Sequence, residues 1–540
     1  MEYKILEPQH SREIQEKYHI NSLLAKVIDT KFTNEDEFST FMNPKLIYHD
    51  FSLFEEADMT LDRIYEAIEN EEKICIYGDY DCDGILATTI LVQAFLELGI
   101  EVGYHIPHRF EDGYGLNKKR VEQIASKGYS LIITVDNGVG AFEAVERANE
   151  LGVDVIVTDH HQFSTELPEA VSFIHTKLSP EYPFKEICGG FIAYKLASAL
   201  LHKQDKYLFC LAATTTISDM MPLTDENRSL VKRALTFLNE EHYEAFDMLL
   251  GDKKVYDSTA LGYTIAPKIN AFGRLPEYCH PNILVKYFLK EAPHDFRMKV
   301  AQKAIDLNTK RQSLTREFYQ EALSQGEDSF LYWSSEDIHE GIVGLIAGQY
   351  TRDKQKPSFV MHYDKESGIY KGSARSVQGF SLHGFFEAHK DLFVTCGGHA
   401  LAGGFSVDKD HYEELYHCLK EEIEQAHFVL EETVIRIDRD DLTLSNVESL
   451  SLLEPYGMCN REPIFYLEHC PIDQYQLLSE GKHLKLNFHI GDQMISALYF
   501  QHGDDYDQLQ NKKAVTLIGK LNINTFRNRK SINFILEDVI

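Results

Sequence analysis

Asp79, Asp81 and Asp83 alternate in the stretch Gly78-Asp79-Tyr80-Asp81-Cys82-Asp83-Gly84. Three carboxylates this close repel one another and raise each other's pKa, and a hard or borderline divalent cation relieves the repulsion through oxygen ligands. Two further apolar runs end in acid: Leu131-Ile132-Ile133-Thr134-Val135 meets Asp136-Asn137-Gly138, and residues 153–158 meet Asp159-His160-His161. A fourth candidate, Asp219, closes the apolar and small-residue segment 208–217, where it serves as a helix cap or joins the cluster. Solvation explains acid at one strand end; it explains three ends and two adjacent histidines poorly. Asp79, Asp81, Asp83, Asp136, His160 and Asp219 are enough oxygen and imidazole ligands for two cations. Two cations about 3.5–4 Å apart lower the pKa of a bridging water and neutralise charge on phosphoryl oxygens, which is the chemistry of phosphate-ester hydrolysis. Mixed Asp/His ligation suits Mn²⁺ better than Mg²⁺, which remains the second choice. His161 is a candidate ligand or a hydrogen-bond donor to the scissile phosphate. Other engines are not supported. Gly138-Val139-Gly140 follows a strand, but Glu143 stands where a dinucleotide fingerprint needs glycine, and no phosphate loop or nucleophile elbow occurs.

These residues need a frame. Residues 74–77 read as a short buried strand and 85–98 as a helix, so the three aspartates lie in a strand-to-helix turn. Residues 61–71 and 141–151 have helical spacing, and 102–106, 131–135 and 153–158 read as strands. Strands alternating with helices imply a parallel sheet, whose C-terminal strand ends all face one edge. Asp79, Asp136 and Asp159 are expected on that edge.

The 540 residues imply about three or four domains of ordinary globular composition, 44% hydrophobic and 26% charged. Nine scattered cysteines without a Cys-x-x-Cys pair argue against a disulfide framework or structural zinc and for a reducing compartment. The N-terminus lacks the pattern of a signal peptide and no apolar run reaches membrane-spanning length, so a cytoplasmic location and no membrane partner are expected. The net charge of −31 opposes nucleic-acid binding at long range. A nucleic-acid ligand therefore requires local basic surface or bridging metal ions.

Taken together, Asp79-Tyr80-Asp81-Cys82-Asp83-Gly84, Val135-Asp136-Asn137-Gly138, Thr158-Asp159-His160-His161 and Ser218-Asp219-Met220 resemble the four signature motifs of the DHH phosphoesterase superfamily. Asp79 as the first residue, rather than histidine, is similar to the superfamily's single-stranded-DNA exonucleases. So are Pro267-Lys268-Ile269-Asn270-Ala271-Phe272-Gly273-Arg274, Leu307-Asn308 with Arg311-Gln312, His339-Glu340-Gly341-Ile342-Val343-Gly344, Gly372-Ser373-Ala374-Arg375-Ser376 and Gly397-Gly398-His399. The resemblance runs from about residue 60 to the C-terminus. It implies a 5′→3′ exonuclease that releases mononucleotides from single-stranded DNA in repair and recombination, using Mn²⁺ or Mg²⁺. It also implies a helicase and a single-strand-binding protein as partners. By motif position it makes Asp79, Asp81, Asp83, Asp136, His160 and Asp219 metal ligands, sets His161 against the scissile phosphate, and leaves Asp159 to support the histidines. Two departures touch substrate contacts rather than the metal cluster: Lys268 replaces a common arginine, and His175-Thr176 replaces a more usual Asn/His-Pro pair.

The implied architecture is α/β: an N-terminal extension (1–55), a parallel-sheet DHH domain (56–290), a long connector helix (291–326), an α/β DHHA1 substrate-binding domain (327–428) and a small C-terminal β-barrel of the OB type (429–540). Apolar residues at helical spacing from Phe296 to Ala322 support one helix over 294–324. Between 348 and 400, seven Lys/Arg face five Asp/Glu, so this region escapes the global acidity. With the resemblance, Arg274, Ser373 and Arg375 are candidates to hold a terminal 5′-phosphate, and Gly397, Gly398 and His399 to assist through close backbone N–H groups. Without it, Gly397-Gly398 reads as a plain turn. Five short strands are expected at 434–437, 483–489, 494–500, 515–521 and 531–536. Residues 511–531 carry six Lys/Arg and no acid, and make Lys520, Phe526 and Arg527 candidates for a basic, aromatic single-strand groove. Two other functions compete: a phosphodiesterase on short oligoribonucleotides or cyclic dinucleotides, and a non-catalytic nucleic-acid scaffold. The extra C-terminal barrel speaks against the first, and the intact ligand set against the second.

Overall fold

The computed structural model describes all residues except 1, 43–44, 164, 254, 325–328, 429–430, 492 and 527–528. The chain divides into two units, Tyr48–Met221 with Arg233–Leu430, and Met1–Ile47 with Pro222–Lys232 and Glu431–Ile540.

The first unit is built on a five-stranded parallel sheet. Its strands are β1 (Lys73–Tyr77), β2 (Gly103–His105), β3 (Tyr129–Val135), β4 (Asp154–Thr158) and β5 (Ser172–Ile174), in the order β2-β1-β3-β4-β5. Their apolar runs are buried along most of their length, as expected of parallel strands covered on both faces. Helix α1 (Cys82–Glu97) is buried from Cys82 to Phe95 and has no polar face, so it lies inside the unit. Two further helices, α2 (Gly189–Leu201) and α3 (Lys206–Ser218), pack against it. A short π-helical turn (Ala260–Ile265) leads into α4 (Ala266–Arg274), and α5 (His294–Leu323) is the expected long helix.

Beyond α5, in the same unit, lies a mixed sheet of β6 (Leu331–Ser335), β7 (Ser358–Asp364), β8 (Ile369–Arg375), β9 (Thr395–Gly398) and β10 (Ala402–Asp408), ordered β9-β10-β8-β7-β6. Only the β6–β7 pair is parallel.

The second unit carries an eight-stranded sheet in place of five short strands. Each expected strand lies within or overlaps an observed one, but Phe465–Pro471 and Gln474–Leu478 are added within the C-terminal region. The eighth strand, Glu2–Leu6, pairs in parallel with Glu431–Arg436. The start of the chain, expected only as an N-terminal extension, therefore extends this sheet at one edge. The long-range pairing has no local signature, since five residues with a single alternation are too few to read. All nine cysteines are free thiols. Among the described residues no helix is long and apolar enough to cross a membrane.

Candidate metal centre

Strand ends β1, β3 and β4 deliver their acids to one edge of the first sheet, as the alternation of elements predicts. Asp81 caps the N-terminus of α1, accepting from the Asp83 and Gly84 amides at 2.9 and 3.1 Å. Gly84 is required here, because a Cβ would lie 2.4 Å from the Asp79 nitrogen. Asp136 holds a left-handed backbone (φ 63°), a costly conformation for a residue other than glycine. Asn137 braces it, donating to the Val135 and Tyr77 carbonyls at 2.9 and 3.3 Å.

The side chains converge. His160 Nε2 lies 3.0 Å from Asp136, 3.6 Å from Asp219 and 3.7 Å from Asp83. Three donor sets each fit within 4.8 Å: Asp79 with Asp81 and Asp136, Asp83 with His160 and Asp219, and Asp136 with His160 and His161. Asp83 also accepts from the Gly189 and Gly190 amides at 2.8 and 2.7 Å, at the N-terminus of α2. One Asp79 oxygen is buried with no hydrogen-bond partner.

Electrostatics separate these groups into two classes. Burial, then the neighbouring carboxylates, hold the Asp79, Asp136 and Asp219 pKa values well above the ordinary range. Burial also presses His160 down to about 4, so its imidazole is neutral and able to ligate. The second class is the Asp159–His161 pair. Burial works to raise Asp159, but the His161 hydrogen bond at 2.7 Å and both imidazoles outweigh it and hold the carboxyl at about 2. Burial works to lower His161, yet Asp159, Asp219 and Asp81 push it up to about 9. Asp159 also accepts from the amides of Val139, His160 and His161, which fixes the loop carrying both histidines. The buried carboxylates, the neutral imidazole and the unpartnered Asp79 oxygen suit divalent cations.

Beside this edge lies a group of arginines. Arg274, at the end of α4, donates to the Gly341 carbonyl at 3.0 Å. Burial, then Arg109, Arg311 and Arg375, press its pKa down to about 9, with Asp81 opposing. Arg375 donates to Ser373 Oγ at 2.9 Å, Arg311 to Asn308 at 3.1 Å, and Arg109 stacks over Tyr80 at 4.8 Å. Lys268 is taken up by the Leu249 carbonyl. Gly397 lies in register with Gly404, which pairs with Ser373, so one strand of glycine separates Ser373 from Gly397. A Cβ at Gly397 would meet nothing within 4 Å, leaving its backbone open to a ligand. His399 forms the β9–β10 turn through its amide and the Ala402 carbonyl, 2.8 Å.

In the second unit Lys520 faces Glu462 and Glu537 at 3.7 and 3.2 Å, so carboxylates distant in sequence offset its charge. The Phe526 side chain and Arg527 lie outside the described residues.

Sequence reasoning missed four contributors and misplaced a fifth, His175, which it assigned to substrate contacts. Gly189 and Gly190 reach Asp83 from more than a hundred residues away. His175 donates from Nε2 to the His161 carbonyl at 3.0 Å. Arg109 joins the arginine group, and Tyr114 Oη lies 3.0 Å from His161 Nδ1. The stretch Arg109 to Gly115, rich in charge, glycine and aromatics between two elements, was the available signal for the last two.

Three family models match the chain: the DHH family N-terminal domain over residues 73–218, the DHHA1 domain over 327–425 and the RecJ OB domain over 435–538. Among curated proteins, the chain is 30% identical to the single-stranded-DNA-specific exonuclease RecJ of Bacillus subtilis, over 100% of this chain and 70% of that one. It is 28% identical to the Haemophilus influenzae protein of the same name, over 92% of each. A solved structure of RecJ in complex with Mn²⁺ from Thermus thermophilus matches with a TM-score of 0.85 at 24% identity, covering 100% of this chain and 79% of that one.

Proposed function

Because the chain belongs to the RecJ family of single-stranded-DNA-specific exonucleases, we propose that it digests single-stranded DNA from the 5′ end to mononucleotides, in DNA repair and recombination. The observation that carries this reading is adjacency. An acid-and-imidazole donor set lies beside four arginines that have no carboxylate partner among the described hydrogen bonds and ion pairs. In our reading Asp79, Asp81, Asp83, Asp136, His160 and Asp219 hold two divalent cations, Mn²⁺ in preference to Mg²⁺ because the set mixes imidazole with carboxylate. Bound there, the cations neutralise charge on the scissile phosphate and lower the pKa of an attacking water.

The chain's own groups do the rest. His161, kept protonated by Asp159, donates to a phosphoryl oxygen and stabilises the charge that builds there. Arg274 and Arg375, with Ser373 and Arg109, grip a terminal phosphate, and the glycine-paved edge at Gly397 and Gly398 lets its oxygens approach backbone. A stop of this kind at a fixed reach from the metal ligands sets polarity: only a chain entering 5′ end first places a phosphodiester at His161. Lys520, Phe526 and Arg527, in the second unit, would contact the strand, Lys520 with its charge offset by Glu462 and Glu537. A helicase that exposes the strand and a single-strand-binding protein are the partners this reading implies, in the cytoplasm.

The test is digestion of one oligonucleotide labelled at either end, with Mn²⁺, Mg²⁺ or EDTA. Immediate mononucleotide release from the 5′ label, a shrinking ladder from the 3′ label and silence in EDTA are expected. A ladder from the 5′ label would reverse the polarity, and activity confined to cyclic dinucleotides or short RNA would replace the substrate.

A further inference from the structure

Tyr114 is an exposed tyrosine in a loop that is otherwise pinned down. Asp112 takes the Arg120 guanidinium at 2.7 and 3.0 Å and the His108 amide at 2.8 Å. Its carbonyl takes Asn117 Nδ2 at 3.3 Å. On the other side, the Gly115 carbonyl accepts from Tyr77 Oη at 3.2 Å and the Leu116 amide donates to Asn137 Oδ1 at 3.2 Å. Between these anchors Gly113 and Gly115 both adopt positive φ, 76° and 71°, with Tyr114 bracketed between them. Two left-handed glycines within three residues cost backbone entropy. Burial of the ring does not repay it, since Tyr114 is 52% exposed.

What the loop does achieve is the placement of one oxygen. Tyr114 Oη donates to the Asp136 backbone carbonyl at 3.3 Å and lies over the face of the His161 ring, 3.0 Å from Nδ1 and 3.2 Å from Nε2. Nδ1 donates to Asp159 at 2.7 Å, and the hydroxyl lies out of the ring plane, which leaves the in-plane Nε2 proton for the phosphate. The two rings meet edge to face, 5.5 Å between centroids at 72°. The phenol thus ties the strand end that carries Asp136 to the imidazole that follows Asp159.

We propose that Tyr114 is a positioning residue, whose hydroxyl bridges the Asp136 carbonyl and the His161 ring and holds that ring turned toward the reacting phosphate. The proposal rests on the reading that His161 contacts the substrate. A spacer role for Tyr114 makes a different forecast, because Arg109 stands on the same loop: a loosened loop would weaken substrate binding as well.

The test is Tyr114→Phe in the full chain with Mn²⁺ and 5′-phosphorylated or 5′-hydroxyl single-stranded DNA. Loss of one hydroxyl contact is expected to lower kcat about 5- to 10-fold, with KM and the preference between the two 5′ ends unchanged. In a His161→Gln background the same substitution should cost less than about twofold, because residues acting through one another are not additive. An independent readout needs no substrate: in ¹⁵N-histidine-labelled, metal-free protein, Tyr114→Phe should move the imidazole signals that His161→Gln removes. Unchanged kcat, an equal loss in the His161→Gln background, a change in KM alone, or unmoved His161 signals would each overturn the proposal. If the unsubstituted protein leaves DNA intact, the exonuclease reading fails, while the imidazole signals still decide the Tyr114–His161 contact.

Discussion

Replacing Asp136 by Asn should stabilise the metal-free protein while destroying its activity. The Asp136 carboxylate lies among Asp83, Asp81, Asp219 and Asp79, and burial and these neighbours hold its pKa far up. Two unit charges 4.8 Å apart, the outer limit for its donor set with Asp79 and Asp81, repel by about 3.5 kcal/mol at an effective dielectric constant of about 20. Protonation relieves part of this, so a gain of about 1–3 kcal/mol is expected in EDTA at pH 8. For a unit of this size that is a rise in Tm of about 1–4 °C. The pH dependence follows from proton binding. A carboxyl whose folded pKa lies above its ordinary 3.8 binds more protons folded than unfolded. The metal-free protein therefore loses stability as pH rises from about 4 through the raised pKa, and Asp136→Asn escapes its share of that loss. The advantage should grow with pH and vanish with Mn²⁺, because ligand at about 100 times its Kd stabilises the unsubstituted protein by about 2.7 kcal/mol. Calorimetry at pH 5 and pH 8, with EDTA and with Mn²⁺, reads all four conditions. A lower Tm for Asp136→Asn in EDTA at pH 8, or an equal gain with Mn²⁺ present, would refute the reasoning.

Other substitutions should behave differently. Asp83→Ala strands two buried amides, Gly189 and Gly190, each costing about 1–3 kcal/mol. Urea unfolding should show a clear loss of stability, the opposite of Asp136→Asn, and an unchanged midpoint would count against the amide contacts. Gly189→Ala puts a Cβ 2.6 Å from the Asp136 Cβ. Mn²⁺ affinity by calorimetric titration should fall at least tenfold with the circular dichroism spectrum unchanged. Arg375→Ala should slow cleavage of 5′-phosphorylated ends at least tenfold more than of 5′-hydroxyl ends, and equal slowing would remove Arg375 from the phosphate site.

The acidic edge was legible because parallel strands buried on both faces are short apolar runs, and a charge at their ends stands out against them. Asp79, Asp136 and Asp159 needed no more than that pattern and the rule that parallel strands end on one edge. The long helix His294–Leu323 was legible from its periodicity. What stayed hidden was cooperation between distant segments. Nothing local marks the Gly189 and Gly190 amides as partners of Asp83, nor Glu2–Leu6 as a strand of the C-terminal sheet. Lys520 read as free basic surface because Glu462 and Glu537 lie on other segments of its unit. Tyr114 was hidden for another reason: its partner is fixed by a loop conformation that only two glycine φ values reveal.

The central claim is that the edge formed by Asp79, Asp81, Asp83, Asp136, His160 and Asp219 is the engine of hydrolysis. Anomalous diffraction at the manganese edge, from crystals soaked in Mn²⁺, tests it most directly. Two peaks are expected, one among Asp79, Asp81 and Asp136 and one among Asp83, His160 and Asp219, both absent in Asp136→Asn crystals. Strong peaks elsewhere with none at this edge, in protein that still digests single-stranded DNA, would contradict the account.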